Sequence, residues 1–307
     1  MRALRLLFVA LVASPGITAC EPANGYEEEI RAWRQGRMER LLSDTGYLTL
    51  AGLFWLQEGE STFGSAPAND LLFPAHSAPP KAGVFIHQNG VTTVRAYPGT
   101  PLEHDGESVV ETRMAHDGED NTTLLTLGDL TFYVIKRGDR YAIRMRDLNS
   151  EIRKNFRGID SYPVDAAYRV TARFEPYEPV KRVPIVNEVG TVDTMLSPGA
   201  LVFELLGEEC RLDPVVSSLE AKSYFLIFRD ATTGVETYES GRFLYTELPV
   251  DGEVIVDFNK AYNPPCAFSP YTTCPLPPLQ NDLKVSVRAG EKRYAGEAKT
   301  GHPSSSP

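Results

Sequence analysis

The side chains best suited to chemistry are concentrated near the carboxyl end of the chain, in and around the segment from Asp257 to Pro278. The candidate binding residues are Arg242, Asp257, Asn259, Tyr262, Asn263, Asn281, Glu291 and Lys292. Arg242 offers a planar guanidinium that suits a carboxylate, and Asp257, after an apolar run, is the nearest obvious acid in sequence. The sequence therefore predicts a polar site here, but it assigns no residue a catalytic role.

Two interpretations of this polar cluster stay open. The residues could surround a ligand pocket, since convergent polar groups on a β scaffold are typical of binding sites. They could instead form a buried ion pair and amide network that holds the proline-rich segment, because irregular backbone must find hydrogen-bond partners. A pocket beside Asp257, with Arg242 and Glu291 pointing into it, would favour a catalytic role for these residues. A packed and fully paired network would favour a non-catalytic protein.

Two cysteines, Cys266 and Cys274, lie inside the same segment. In an oxidising compartment a disulfide between them would close a short loop and stabilise it. Free thiols and a zinc site are the alternatives, but the spacing is unusual for zinc and no histidine lies between His116 and His302. We expect no metal and no cofactor. Cys210 is interpreted as a small buried apolar residue.

The elements that must position these residues are mostly strands. Residues 131–136 and 140–146 flank a turn at Gly138-Asp139 and predict a hairpin, with Tyr141, Ile143 and Met145 inward and the intervening arginines outward. A second hairpin is predicted from 243–245 into 254–258, and a last strand over 283–287.

The predicted fold class is therefore mainly β: two antiparallel β units, of sandwich or barrel architecture, with one amino-terminal amphipathic helix over 27–44. The predicted divisions are a signal peptide at 1–19, an anchor cysteine with linker and helix at 20–45, a β-sandwich-like domain at 46–155, a β-barrel-like domain carrying the proline and cysteine loop at 156–295, and a disordered tail at 296–307.

The first twenty residues have the pattern of an export signal: Arg2 and Arg5, a short apolar run, then small residues ending at Cys20. The apolar run is too short to span a bilayer. Ile17-Thr-Ala-Cys20 resembles the bacterial lipobox, which predicts lipidation of Cys20; a plain signal peptide with an incidental cysteine is the alternative. We expect a lipid-anchored protein of the cell envelope, on the periplasmic side or at the cell surface, and Glu21 favours the outer membrane.

The charge of the chain excludes several classes of partner. The net charge is −10, and removal of Arg2 and Arg5 with the leader changes it to −12. So acidic a surface repels nucleic acid phosphates and anionic headgroups, so we expect no nucleic acid partner and no membrane contact beyond the anchor. A small molecule or protein of the envelope is the expected partner.

Several motifs resemble the domain-of-unknown-function family numbered 1684. The matching stretches are Gly52-Leu-Phe-Trp-Leu56, Phe63-Gly64, Ile135-Lys-Arg-Gly-Asp-Arg140, Arg144-Met-Arg-Asp147, Ser197-Pro-Gly199, Gly241-Arg-Phe-Leu244, Asp257-Phe-Asn259, Ala261 to Pro278, Asn281 and Ala289-Gly-Glu-Lys292. The resemblance covers nearly all of the chain after the leader. It implies no activity, because the family offers none to carry over.

Residues 62–130 also resemble the forkhead-associated β-sandwich. The resemblance lies in Thr62-Phe-Gly64, Asn69 to Pro74 and Gly128-Asp129. Members that read phosphopeptides have an arginine after the first glycine, whereas this chain has Ser65. The resemblance therefore implies the fold without phosphothreonine recognition.

These observations predict an envelope lipoprotein whose carboxyl-terminal polar site serves a binding or interaction module. The alternative is a hydrolase acting on a small envelope substrate, with Asp257 as base or nucleophile and Arg242 orienting an anionic group. No Gly-x-Ser-x-Gly elbow, His-Glu-x-x-His motif or phosphate loop is present to favour an enzyme.

Overall fold

The computed structural model describes residues 23–296 of the chain. This part is mainly β, with several antiparallel sheets and one long amino-terminal helix, as predicted. Helix α1 spans Ala23–Leu42 and the short helix α2 spans Glu151–Asn155. Single 3-10 turns occur at Tyr47–Thr49, Ala166–Tyr168, Phe258–Lys260, Pro265–Ala267 and Leu279–Asn281.

The first half of the chain forms two sheets that pack face to face. Its strands are β1 (Leu50–Trp55), β2 (Gly59–Gly64), β3 (Leu71–Leu72), β4 (Gly83–Gln88), β5 (Val91–Ala96), β6 (Glu103–His104), β7 (Glu107–Ser108), β8 (Glu111–Met114), β9 (Leu125–Leu127), β10 (Leu130–Arg137) and β11 (Arg140–Asp147). One sheet has the order β1-β11-β10-β9-β6-β7 and the other β3-β2-β4-β5-β8. Phe63, Phe85 and Phe132 meet between them, so this unit is a sandwich with an aromatic core.

The hairpin predicted from the alternating pattern is strands β10 and β11, which pair from Leu130 with Asp147 to Arg137 with Arg140. One detail of that prediction is wrong. Arg144 does not point outward into solvent but is only 9% exposed. The outer face of β11 is covered by another part of the chain, and a strand pattern cannot show which of its faces is covered.

The second half has a four-stranded and a two-stranded sheet. Its strands are β12 (Arg169–Val186), β13 (Val192–Leu205), β14 (Glu208–Leu212), β15 (Tyr224–Phe228), β16 (Arg242–Thr246) and β17 (Glu253–Asp257). The sheet orders are β14-β13-β12-β17 and β15-β16. Phe203 of the larger sheet and Phe228 of the smaller one both contact Phe258, so one core joins the two sheets.

Three expectations for this half differ from the structure. Strand β17 pairs with β12, with Asp257 opposite Arg169, and does not form a hairpin with β16. Residues 283–287 form no strand, although Leu283 and Val287 are buried. No sheet in the described part of the chain closes into a barrel. Strand partners and sheet closure depend on contacts between distant residues, which the alternation of apolar residues does not encode.

Residues 257–278, hereafter the proline strap, lie across the second half and reach the first. Cys266 and Phe268 are buried in a cluster that also contains Leu41 of helix α1. The Ser269 hydroxyl donates to the Leu50 carbonyl oxygen at 3.3 Å. The proline strap therefore contacts both the helix and strand β1, and it brings the two halves together.

Candidate functional site

Arg242, the first predicted site residue, is buried and bonded to other groups of the protein. Its side chain is completely buried, and Nη2 lies 2.8 Å from Oδ2 of Asp230. Nη2 also donates to the Val287 carbonyl at 2.8 Å and Nη1 to the Ala289 carbonyl at 2.5 Å. The carboxylate partner is therefore Asp230 and not Asp257, which the order along the chain had suggested.

Asp257 and Asn259 fasten helix α1 and a neighbouring turn to the proline strap. The Tyr26 hydroxyl donates to Oδ1 of Asp257 at 2.8 Å, and the Asn259 amide nitrogen donates to the same oxygen at 3.0 Å. The Asn259 side chain donates to the Asp165 carbonyl at 2.8 Å and accepts from the Asp165 amide at 3.0 Å. Burial, followed by the bond to Asp257, raises the pKa of Tyr26.

A second set of polar contacts with helix α1 involves Glu291, Asn263 and Lys292. Arg37 Nε donates to Oε1 of Glu291 at 3.1 Å, and the Asn263 amide nitrogen donates to Oε2 at 2.7 Å. Asn263 Nδ2 donates to the Lys292 carbonyl at 2.8 Å. The Lys292 ammonium lies 4.9 Å from the centre of the Tyr162 ring. Glu291 is 3% exposed, so this carboxylate satisfies buried donors within the protein.

Asn281 is buried, and its side chain bridges the segment after strand β14 and strand β15. It accepts from the Asp213 amide at 2.7 Å and donates to the carbonyls of Asp213 and Ile227 at 2.9 and 3.0 Å. Cys266 and Cys274 form a disulfide with Cα atoms 6.2 Å apart, while Cys210 is a free, buried thiol. These residues stabilise irregular backbone, in agreement with the structural interpretation of the polar cluster.

One predicted residue, Tyr262, does line a substantial opening. It is shared by two adjoining chambers, of about 480 and about 260 Å³, between the proline strap, helix α1 and strand β11. Tyr47 and Tyr245 line both chambers as well. We call the two chambers together the arginine groove, because Arg40 and Arg146 line the large chamber and Arg137 and Arg144 line the small one.

In the large chamber, Arg146 forms no ion pair within the described residues. Its Nη1 donates to the Gly46 carbonyl at 2.7 Å and to the Thr49 hydroxyl at 3.0 Å, which fixes the side chain without neutralising it. Arg40, exposed at the end of helix α1, has no carboxylate partner in the described residues either. Lys260 differs, since its ammonium is paired with Glu29 at 2.5 Å.

In the small chamber, Arg144 is buried beside the proline strap. Its Nη2 donates to the Thr273 hydroxyl at 3.2 Å, its Nε has no hydrogen-bond partner, and it forms no ion pair within the described chain. Burial lowers the pKa of this guanidinium, because the charged form loses more hydration than its contact with Tyr133 and the charge of Asp117 offset. Arg137 nearby is already paired with Asp117 at 2.8 Å.

The charge of the groove is opposite to that of the whole protein. Neither chamber is lined by an aspartate or a glutamate, although the chain has 41 acidic residues and a net charge of −10. Guanidinium groups in an aromatic-walled groove attract anions, since planar donors and low-dielectric walls strengthen the interaction. The arrangement can therefore hold a negatively charged group.

Sequence reasoning missed the groove. The alternating pattern of β11 predicts solvent-facing arginines, and the proline strap, whose Thr273 contacts Arg144, lies more than a hundred residues away. The pair Arg144 and Arg146, on the same side of one strand, is the only local signal that could have pointed to this site.

Asp257 also borders an opening, but a different one. A hollow of about 480 Å³ is lined by Asp257, Lys260, Arg169 and Glu29 among others. Oδ2 of Asp257 has no hydrogen-bond partner and lies 3.9 Å from the Lys260 ammonium. Arg242 and Glu291 do not line this hollow, so the pocket that would favour the catalytic alternative is not formed.

Within residues 23–296, no group of three or more histidine, cysteine, aspartate or glutamate side chains is arranged to hold a metal ion. None of the helices described is both long and apolar enough to cross a membrane. Cys20 and the predicted signal peptide lie outside the described residues, as does the tail after residue 296.

The described residues form a mainly β protein with an opening lined by arginines and tyrosines. Residues 154–292 match the family described as "Protein of unknown function (DUF1684)", so this part of the chain belongs to that family. The match begins further along the chain than the resemblance noted from the sequence, which extended upstream to Gly52. No curated protein matches the chain.

Solved structures with some similarity include an uncharacterized protein from gene locus rrnAC0354 of Haloarcula marismortui. It is 35% identical, the alignment covers 46% of this chain and 78% of that one, and the TM-score is 0.38. The FhaA FHA domain, solved in complex with the intracellular domain of Rv3910, is 15% identical over 31% of this chain and 97% of that one, with a TM-score of 0.22.

Proposed function

We propose that this protein is a binding module that captures a small anionic ligand in the arginine groove. The observation that carries the proposal is the pair Arg144 and Arg146, two guanidinium groups that face an opening without acidic residues and lack ion-pair partners in the described chain. A cation left without a carboxylate in an acidic protein is a typical position for an anionic ligand.

The energetics of Arg144 support this proposal. A buried guanidinium without a counter-ion loses hydration that hydroxyl partners such as Thr273 and Tyr133 do not fully replace. A bound anion would restore the missing partner, and the interaction would be stronger in the groove than at the open surface because its walls exclude part of the water. Arg242, which is more deeply buried, already has Asp230 as its partner.

The catalytic alternative receives no support from the geometry. It requires Arg242 to orient an anionic substrate beside Asp257, but Arg242 has no exposed surface and is bonded to Asp230 and three backbone carbonyls. The single function we propose is therefore binding.

For the place of action we propose the cell envelope, with the protein tethered through a lipid on Cys20. The support is the sequence pattern that ends at this cysteine. Cells expressing the full-length protein and grown with a tritiated fatty acid should label it, and a Cys20→Ala variant should stay unlabelled. Equal labelling of both proteins would contradict the anchor.

The groove is tested by titrating the purified full-length protein with inorganic phosphate and with hexanoate. Calorimetry should give saturable binding of at least one anion. The arginine Nε–Hε resonances of Arg144 and Arg146 should shift in NMR spectra of the same samples. Arg144→Met or Arg146→Met should weaken binding by about tenfold or more, because a desolvated charge contact is lost.

Arg140→Met is the matched control. Arg140 lies on the same strand but stacks on the Trp55 ring, 3.8 Å from its centre, and lines neither chamber. Its removal changes the net charge equally and should leave the affinity unchanged. Absence of saturable binding for both anions, or equal weakening by all three substitutions, would refute the proposed function.

A further inference from the structure

Strand β11 supplies two of the arginines in the arginine groove that have no ion-pair partner in the described residues. Arg144 and Arg146 are two residues apart on that strand, so their side chains leave the same face. Their Cα atoms are about 7 Å apart, since a strand rises about 3.4 Å per residue. Arg146 lines the large chamber and Arg144 the small chamber. The groove therefore has two separate anion positions at a short and fixed spacing.

The walls between these two positions are aromatic. Tyr47, Tyr245 and Tyr262 line both chambers and so border the passage from one to the other. Two of these rings remain well exposed, Tyr47 at 43% and Tyr245 at 54%, although aromatic surface is usually buried. An apolar or aromatic segment passing between the chambers would cover these rings.

The small chamber favours one kind of anion. Besides Arg144 it is lined by Arg137, which is paired with Asp117, by two threonines, and by apolar side chains such as Phe225 and Phe243. The apolar part of the wall offers no partners to a strongly hydrated group. A doubly charged phosphate would lose more hydration in such a place than a singly charged carboxylate would. A carboxylate also matches the planar donor edge of a guanidinium.

We propose that the arginine groove binds an elongated dicarboxylate, with one carboxylate on Arg144, the other on Arg146, and an apolar middle segment against the three tyrosines. This inference rests on the proposed function and adds to it the chemical class of the ligand. Arg40, an exposed residue that also lines the large chamber, adds a further positive charge to the position of the second carboxylate.

The test compares adipate with hexanoate, which has the same carbon chain but one carboxylate fewer. Titration of the full-length protein should show adipate binding about tenfold more tightly, which corresponds to one additional ion contact of about 1.4 kcal/mol. Succinate and azelate, which are shorter and longer dicarboxylates, should both bind more weakly than adipate, because their charges do not match the spacing of the arginines.

The variants assign the two positions. Arg144→Met and Arg146→Met should each reduce adipate affinity to about that of hexanoate for the unmodified protein, and the double variant should lose binding of both. Arg140→Met should retain the preference for adipate. Urea unfolding of each variant separates a loss of affinity from a loss of fold.

The outcomes distinguish this inference from the proposed function. If hexanoate and adipate bind equally, and only one arginine matters, the groove binds anions but not dicarboxylates. If succinate, adipate and azelate bind equally, charge alone determines affinity and the two-point contact is wrong. If hexanoate, adipate and inorganic phosphate all fail to bind, the inference and the proposed function are both refuted.

Discussion

Two buried arginines on neighbouring parts of the molecule have opposite surroundings. Arg242 on β16 is enclosed by Asp230 and by the carbonyls of Val287, Ala289 and Glu291. Arg144 on β11 has a threonine hydroxyl and an open chamber beside it. Both leave Nε unpaired, so a missing hydrogen bond does not distinguish them. The difference is the counter-ion: the protein supplies one to Arg242 and none to Arg144.

This difference shows how to separate a structural polar cluster from a binding site. Residue types and proximity in sequence pointed to Arg242 and Asp257, where the chain satisfies its own charges. The side chains that remain available to a ligand line the arginine groove, where the two halves of the protein meet and no acidic residue lines the wall. Whether each charged side chain has an ion-pair partner within the protein is thus a better guide to a binding site than the density of polar residues.

The largest expected effect belongs to the ion pair of Arg242. Asp230→Asn leaves the guanidinium buried without a counter-ion, which typically costs about 3 to 5 kcal/mol of folding free energy. Urea unfolding of the full-length protein measures this loss. Asp139→Asn, at an exposed turn, is the control for the charge change. A loss below about 1 kcal/mol, the range of a surface pair, would remove the contrast between the two arginines.

The disulfide is expected to have the next largest effect on folding stability. It connects the buried core of the proline strap with the small chamber of the arginine groove. Cys266 lies in the buried core of the proline strap and Cys274 lines the small chamber. Replacing both with alanine should cost about 2 to 3 kcal/mol, the loop-closure entropy of so short a loop. Unfolding curves measure that cost, and titration with hexanoate should show weaker binding. Cys210→Ala, which removes a free thiol, should leave hexanoate affinity unchanged.

Much of the fold could be predicted from the sequence, because local patterns encode it. Alternation and a glycine turn located strands β10 and β11 to within one residue at each end. The pairing of β17 with β12 was missed because it joins residues 80 to 88 positions apart, and no local pattern specifies such a partner. The arginine groove was missed for the same reason. It exists only because Thr273 and its neighbours cover the outer face of β11.

The Arg144→Met variant tests whether Arg144, unlike Arg242, contributes little to folding stability. Because Arg144 has no carboxylate to leave behind, its replacement by an apolar side chain should change the unfolding free energy by no more than about 1 kcal/mol, or increase it. Urea unfolding measures the change. Arg242→Met, which leaves Asp230 buried and unpaired, should be strongly destabilising under the same conditions. Equal losses for the two variants would mean that Arg144 is structural.

The smallest effect concerns the bond between Tyr26 of helix α1 and Asp257, at the edge of the structural cluster. Burial and this bond raise the pKa of Tyr26 above its ordinary value of about 10, so the folded protein retains the phenolic proton longer than the unfolded chain does. The stabilisation is thus fully present below about pH 10 and is lost as the pH rises towards the pKa of the folded state.

Tyr26→Phe isolates this contribution from the other tyrosines, among them Tyr162, whose pKa is raised to about 12 by burial and by its bond to Glu236. At pH 8 the variant should be less stable than the unmodified protein by about 1 kcal/mol, the usual value of one hydrogen bond. Above about pH 10 the two unfolding free energies should converge, because only the unmodified protein has a Tyr26 phenol whose stabilising contribution decreases as the pH rises. Tyr97→Phe controls for the loss of a hydroxyl. A difference that stays constant from pH 8 to 11 would show that the bond to Asp257 does not fasten the helix, and the structural cluster would then be smaller than the contacts of Asp257 suggest.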